Sequence, residues 1–547
     1  MPDNSNYYDL GSYTMAMTAS SPEASNWVER GMVWMYGYNH EEAVKCFQKA
    51  TDIDPECPMA WWGIALCIGP NYNKIWEMFV PDERENSLRT AHEALDKGSA
   101  IDKATPLESA LIEALKTRYP TDPTVEEYQP WHDAFADAMR GVYEANRNNL
   151  DVASVFAEAL MGRTPWALWD LETGGIADGA STQEARDVIE RAMAETEGAW
   201  QHPGLLHMYI HLMEMSPTPE LALPFGDQLT TLVPESGHLV HMATHIDVLC
   251  GEYQNVIYRN HQASIVDRKF TADAGAQNFY TVYRIHNKHF EAYGAMFLAH
   301  KQQALTAAME LQELLPVPLV AFMPDLFEAF WGMKTHVMVR FGMWQALLDE
   351  PLQEDQELFC FTTALQRYGR TIALANLDRH EEAAAELAHF FEAQAAVPKT
   401  RFMFNNPAKE VLKIAAAMAQ GELHYKAGRV EEGFDHLREA ANLSDHLIYD
   451  EPWGWMQPPR HALAALLMEQ ERFDEAEEIY RADLGLNNTL ARPHQHPRNV
   501  WALHGLHECL VKRGEESEVL HIKQLLDLAV ARAEVPIKSS CYCRKAA

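Results

Sequence analysis

The chain has 547 residues, 47% hydrophobic and 23% charged, the balance of a folded protein with room for several domains or one long repeat array. Its 79 acidic residues against 45 basic ones leave a formal charge of −34, which argues against a basic face for phosphate backbones or anionic lipid. Neither nucleic acid nor a membrane is therefore expected as a partner.

Residues 1–23 read as an N-terminal extension, with neither the basic n-region nor the apolar h-region of a secretory signal. No later stretch approaches the ~18 consecutive apolar residues of a membrane span. Eight cysteines scattered over the whole length give no disulfide framework, so a reducing cytoplasm is the expected setting.

Helical repeats are expected over 24–200. Counting from Ala24, the stretch "YNHEEAVKCFQKATDIDP" puts Ala43, Phe47, Ala50 and Pro55 at positions 20, 24, 27 and 32 of a 34-residue unit, and Trp61 at position 4 of the next. Those intervals resemble tetratricopeptide repeats. The resemblance implies an all-α, right-handed helical solenoid with irregular units. "GPNYNKIW" (69–76) has turn residues but lacks the Lys/Ser arrangement of a phosphate loop. From Glu83 to Ser181 helical periodicity persists without the motif, and "TPWALWDLETGG" (164–175) breaks it with tryptophans that read as aromatic core, or as a substrate lid.

The segment 201–350 is the histidine-rich centre. "HMYIH" supplies His207 and His211, "HLVHMATH" supplies His238, His241 and His245, and "HNKHF" supplies His286 and His289. Spacings of three and four place each group on one helical face. Counted from Pro203, Gly237 and Ile285, His207, His241 and His289 share position 5 of their units. On the same count His211 and His245 share position 9, and His238 and His286 share position 2. In tetratricopeptide proteins these positions face the concave groove. The frame is anchored independently, by turns such as "GEYQNV" (251–256) and by Pro234 and Pro316 at position 32, where proline ends a helix. A weaker frame on "RFGMWQAL" adds His336 at position 9.

Helical repeats resume over 351–535, with turns at "RHEEAAAEL", "AGRVEEGFDHL" and "ERFDEAEEIY". His504 and His507 there read as packing or surface groups. Over 536–547, "SSCYCR" sets Cys541 and Cys543 two apart, a pattern more in keeping with incidental thiols on an exposed tail than with a metal or redox site.

Over almost its full length, in "YNHEEAVKCF", "GPNYN", "GLLHMYIHLMEMSPTPE", "HMATHIDVLCGEY", "DEPWGWMQPPRHAL" and "VPIKSSCYC", the chain resembles a group of tetratricopeptide-repeat proteins of actinobacteria and fungi. That resemblance implies fold and leaves reaction open. The groove departs from the Lys/Asn/Arg clamps with which chaperone-binding repeats take an acidic peptide tail.

Clustered imidazoles would repel one another once protonated and would cost free energy if buried without partners, whereas a transition metal uses them neutral. The expected site has His207, His211, His241, His245 and His289 as ligands to copper, iron or zinc. His238 and His286 are expected to orient substrate or move protons, and Glu214 and Asp247 to hydrogen-bond the ligands or act as an acid/base. The expected function is a metalloenzyme, with oxidative, O₂-dependent chemistry on a small molecule favoured. A zinc-dependent hydrolase or lyase is one alternative, and a scaffold holding a peptide or partner protein in the groove is the other. Neither "HExxH", a nucleophile elbow nor a dinucleotide fingerprint occurs.

Overall fold

The computed structural model describes residues 7–544. Contacts divide the chain into two compact units: residues 1–246 with 265–280, and 247–264 with 281–547. The first contains α1 (Pro22–Tyr36), α2 (His40–Ile53), α3 (Pro58–Ile68), α4 (Pro81–Ser99), α5 (Pro106–Lys116), α6 (Gln129–Ala145), α7 (Leu150–Met161), α8 (Thr182–Glu195), α9 (Pro203–Met213) and α10 (Leu223–Leu232). It also takes most of α11 (Gly237–Leu249) and the end of α12 (Tyr253–Ala274).

The second unit holds the rest of α12, then α13 (Thr281–Phe297), α14 (Lys301–Leu314), α15 (Val317–Phe322), α16 (Pro324–Trp331), α17 (Met333–Arg340), α18 (Trp344–Asp349), α19 (Cys360–Asn376) and α20 (His380–Ala396). It ends with α21 (Ala408–Lys426), α22 (Val430–Asp445), α23 (Pro459–Glu469), α24 (Phe473–Asp483), α25 (Val500–Arg513) and α26 (Glu516–Arg532). The strands among the described residues are two residues long, Phe402–Met403 and Asn406–Pro407, paired antiparallel. No described helix is long and apolar enough to cross a membrane.

The expected all-α repeat fold is the one observed. A helix packs on its successor and again on the helix after that: α1 on α2 and α3, α19 on α20 and α21, α23 on α24 and α25. Turns of three residues, too short for anything but an antiparallel return, join α1 to α2, α19 to α20, α21 to α22 and α23 to α24, and stacking the pairs buries the face no pair buries alone. Phe47 shows the fit. Its ring wedges so tightly between α1 and α3 that a Cβ on Gly31 or Gly63 would come within 2.7 and 2.5 Å of it. Local signals start these helices: Ser21 caps α1, Asn39 caps α2, and Thr105 with Glu108 forms a capping box on α5.

Two details differ from the repeat count. Helices α9 and α11 begin at Pro203 and Gly237, the counted first positions, but α13 begins at Thr281, four residues before Ile285. His286 and His289 thus sit a turn deeper in their helix than His238 and His241 do. The C-terminal segment also corrects the expectation of an exposed tail. Ser540 and Cys543 are buried, and Cys541 is disulfide-bonded to Cys543. A chain of hydrogen bonds from neighbouring helices, described below, outweighs the freedom a polar terminus would otherwise keep.

Candidate metal centre

Helix α9 starts cleanly because Pro203 occupies its first turn and the His202 Nδ1 accepts the Leu205 N–H at 3.2 Å. It is buried all round, so His207 and His211, one turn apart, both point into protein. The Nδ1 of His207 lies 2.6 Å from the carbonyl oxygen of Tyr36. A carbonyl only accepts, so Nδ1 carries the proton and the Nε2 lone pair is left outward. His211 is fixed the same way by Glu214, whose Oε1 is 2.9 Å from its Nδ1. Both Nε2 atoms are buried without a hydrogen-bond partner among the described residues. His238, entering from α11, completes a triad in which one ligand atom from each ring lies within 4.8 Å of the others.

The same carboxylate reaches across to α11. Oε2 of Glu214 accepts from Nδ1 of His245 at 2.7 Å, so one buried acid aligns two imidazoles on two helices. That leaves Nε2 of His245 as a lone pair, 2.8 Å from Nε2 of His241, while the Thr244 hydroxyl lies 3.3 Å from Nδ1 of His241. These distances fit a hydrogen bond donated by His241. Two nitrogens ~2.05 Å from a tetrahedral ion stand ~3.3 Å apart, so an ion entering here displaces one proton and spreads the rings by about half an ångström. Ring centroids of His211 and His245 are 5.7 Å apart and those of His207 and His238 5.0 Å, which makes the five histidines one continuous patch.

Burial sets the charge state. It lowers the His207 pKa to about 3, against the opposing pull of the Tyr36 carbonyl, and it drives His211 and His238 well below the ordinary range, with neighbouring imidazoles adding to the effect. Neutral imidazole is the form that binds a metal ion.

Tyrosines that sequence periodicity does not flag form one wall. Tyr38, in the turn after α1, places its ring 4.7 Å from His207, 6.0 Å from His211 and 5.8 Å from His238. Tyr72, in the "GPNYN" loop, sits 5.0 Å from His211, and its hydroxyl accepts the Trp166 N–H at 3.1 Å. The Trp166 ring also packs 5.4 Å from that of Tyr72, whereas the Trp169 indole donates to the Leu212 carbonyl at 2.6 Å. Tyr280 accepts the backbone N–H of His238 at 3.0 Å and donates to Asp267. Tyr38 and Tyr280 also line a cleft with His40, Asn71, Lys74 and Glu83, so two residues touching the patch face an opening.

The other expected site residues lie in the second unit. Asp247 is engaged in an ion pair with Arg259 at 2.9 Å and accepts a longer bond from Asn255. His286 is packed among aromatic rings, 5.0 Å from Phe290 and 5.3 Å from Phe404. His289 places Nε2 2.8 Å from the Met456 sulfur, with Phe330 and Phe404 beside it, and His336 packs on Trp455 at 4.6 Å. Glu214, read as an acid beside the helix face, is the residue that aligns His211 and His245.

No protein-family model matches the chain, and no curated protein does. Among solved structures, the chain is 11% identical to a component of the APC/C hetero-tetramer Cut9–Hcn1, covering 94% of this chain and 97% of that one at a TM-score of 0.28. It is 11% identical to yeast Tom70, over 92% and 98% at 0.26, and 12% identical to the TPR domain of P58(IPK), over 90% and 99% at 0.21. Superpositions this loose carry no argument about this chain, whose fold rests on its own helix packing.

Proposed function

We propose that this helical-repeat protein binds a transition-metal ion, or a pair of them, through the neutral imidazoles of His207, His211, His238, His241 and His245. One observation carries the reading: His207 and His211 hold their Nδ1 protons on fixed acceptors and leave buried Nε2 lone pairs with no partner among the described residues. A buried polar atom without a partner costs on the order of 1–3 kcal/mol, and a bound cation removes that cost. Nitrogen ligands suit copper, iron and zinc and disfavour magnesium and calcium. With copper or iron, the centre supports O₂-dependent oxidation of a small molecule entering by the Tyr38–Tyr280 cleft; with zinc, it supports a hydrolase or lyase.

Metal analysis of protein purified without a histidine tag tests this. Near-stoichiometric metal is expected in the wild type, with most of it lost in His207→Ala and in His245→Ala. Wild-type protein that stays metal-free after anaerobic loading with copper, iron and zinc in turn contradicts it.

The stacked helix pairs and the open cleft favour a second reading, a scaffold that holds a peptide. It differs in outcome: binding to a peptide array is then unchanged by chelator and by His207→Ala.

A further inference from the structure

A second site lies wholly within the second unit, where the segment 539–544 is strapped down by five helices. Arg340 of α17 donates to the Ser540 carbonyl at 2.7 Å, and Lys426 of α21 donates to the Cys543 carbonyl. The Ser540 hydroxyl donates to the carbonyl of His461 on α23 at 2.9 Å and meets the Tyr480 hydroxyl of α24 at 2.6 Å. Arg544 makes two bonds to Glu508 of α25, at 2.7 and 2.8 Å. This anchoring holds the Cys541–Cys543 disulfide with Cys543 buried and Cys541 partly exposed, and with Tyr542 between them 38% exposed.

The bond does little for stability. A disulfide stabilises by closing a loop in the unfolded chain, and its effect grows with loop length. A bridge between residues two apart closes almost nothing. The strapping would hold the segment without it. What the placement does accomplish is to set a partly exposed Cys541 and a buried Cys543 beside Glu422 of α21, a carboxyl 1% exposed with an oxygen within 4.8 Å of both sulfurs. Burial raises the pKa of Glu422 to about 7, against the Asn376 amide that donates to it at 2.7 Å and the Lys426 ammonium one turn on; the buried phenol of Tyr368 on α19 also faces it. At neutral pH the group can therefore both give and take a proton.

We propose that Cys541 and Cys543 are a redox-active pair that exchanges with dithiols, with Glu422 as its proton donor. A substrate thiolate attacks Sγ of Cys541, the less buried of the two cysteines. A bond forms between those sulfurs as the Cys541–Cys543 bond breaks, and the electron pair leaves on Cys543. Glu422 delivers its proton to that buried thiolate, whose charge burial disfavours. The substrate's second thiol, deprotonated to solvent, then attacks its own sulfur bound to Cys541. It closes the substrate disulfide and releases Cys541 as a thiolate. The substrate dithiol is oxidised by two electrons and the protein pair is reduced by two. The reverse sequence reduces a substrate disulfide.

The test uses the full-length oxidised protein, with dithiothreitol as the dithiol, glutathione disulfide as the trapping reagent, and alkylation with mass spectrometry as the readout. Dithiothreitol should reduce the pair reversibly while the circular dichroism spectrum stays unchanged. Cys543→Ser, with Cys541 free, should accumulate a mixed disulfide with glutathione far faster than Cys541→Ser, whose remaining sulfur is buried. Glu422→Gln should slow reduction on the order of 100-fold and remove the break near pH 7 from its rate profile. Resistance of the native pair to dithiothreitol, equal trapping in the two serine variants, or an unchanged rate and pH profile in a folded Glu422→Gln protein would each overturn the proposal. Should Glu422→Gln fail to fold, the trapping comparison decides alone.

Discussion

At the scale of single residues, Glu214 does the most with the least. One carboxylate accepts from Nδ1 of two histidines on different helices and so fixes both tautomers. A glutamine there has one acceptor oxygen and an amide that repels the second Nδ1–H. Glu214→Gln is expected to weaken metal binding about 10–100-fold while leaving stoichiometry intact at saturating metal, as loss of a ligand-orienting acid does elsewhere. Competition against a chelator measures it; an unchanged affinity would show that the carboxylate plays no part in aligning the rings. The histidines themselves were legible because a helix repeats every 3.6 residues and spacings of three and four advertise a shared face. Tyr38 and Tyr72 were not, since both come from turns, where side-chain direction follows backbone angles that no periodicity encodes. Tyr38 has φ 54°, in the left-handed region.

At the scale of elements, the repeat turns were readable because each needs a residue with positive φ after the first helix of a pair. Gly251 and Gly428 fill that place at φ 74° and 83°, and Asp378 and Glu471 do so at 60° and 56°. The third histidine frame is counted from Ile285, four residues inside α13, which starts at Thr281 after the long α12. Close helix contacts were hidden. Gly204 in α9 meets α1 and α7 so tightly that a Cβ would lie 2.4 Å from both the Tyr36 ring and the Ser154 hydroxyl. Gly204→Ala must therefore push Tyr36 aside, and with it the carbonyl that orients His207. A loss of about 1–3 kcal/mol in unfolding free energy is expected from the overpacking, together with weakened metal binding. Denaturant unfolding of the metal-free protein, followed by metal titration, separates the two effects.

At the scale of the molecule, the interior holds neutral histidines outside the proposed centre as well. His461 is satisfied uncharged, its Nδ1 accepting from Arg340 at 3.1 Å and its Nε2–H donating to Asp483 at 2.8 Å. Burial lowers the pKa of His461 to about 4 and that of His494 likewise to about 4. The unfolded chain binds these protons more readily, so their contribution is whole above about pH 6.5 and is lost as pH falls from there toward 4, below which these two groups add no further change. Stability should fall by at most about 1.4 kcal/mol per pH unit for each such histidine across that window. Urea unfolding of metal-free protein at pH 7.5, 6 and 5 checks the slope; a flat profile between 7.5 and 5 contradicts it.

The all-α repeat architecture was legible from spacing alone, whereas the division into two units was not, because the helices that cross the boundary look like any others in sequence. The strapped C-terminal segment was equally silent, held by residues as distant as Arg340 and Lys426.

The central claim is that the buried imidazoles of the first unit coordinate a metal ion. Anomalous diffraction at the absorption edge of whichever metal co-purifies, from crystals of untagged protein, tests it most directly. A peak about 2.0–2.1 Å from Nε2 of His207 and His211, or from Nε2 of His241 and His245, is the predicted result. An anomalous map with no peak within bonding distance of any of those four nitrogens, in protein shown to contain metal, would contradict it.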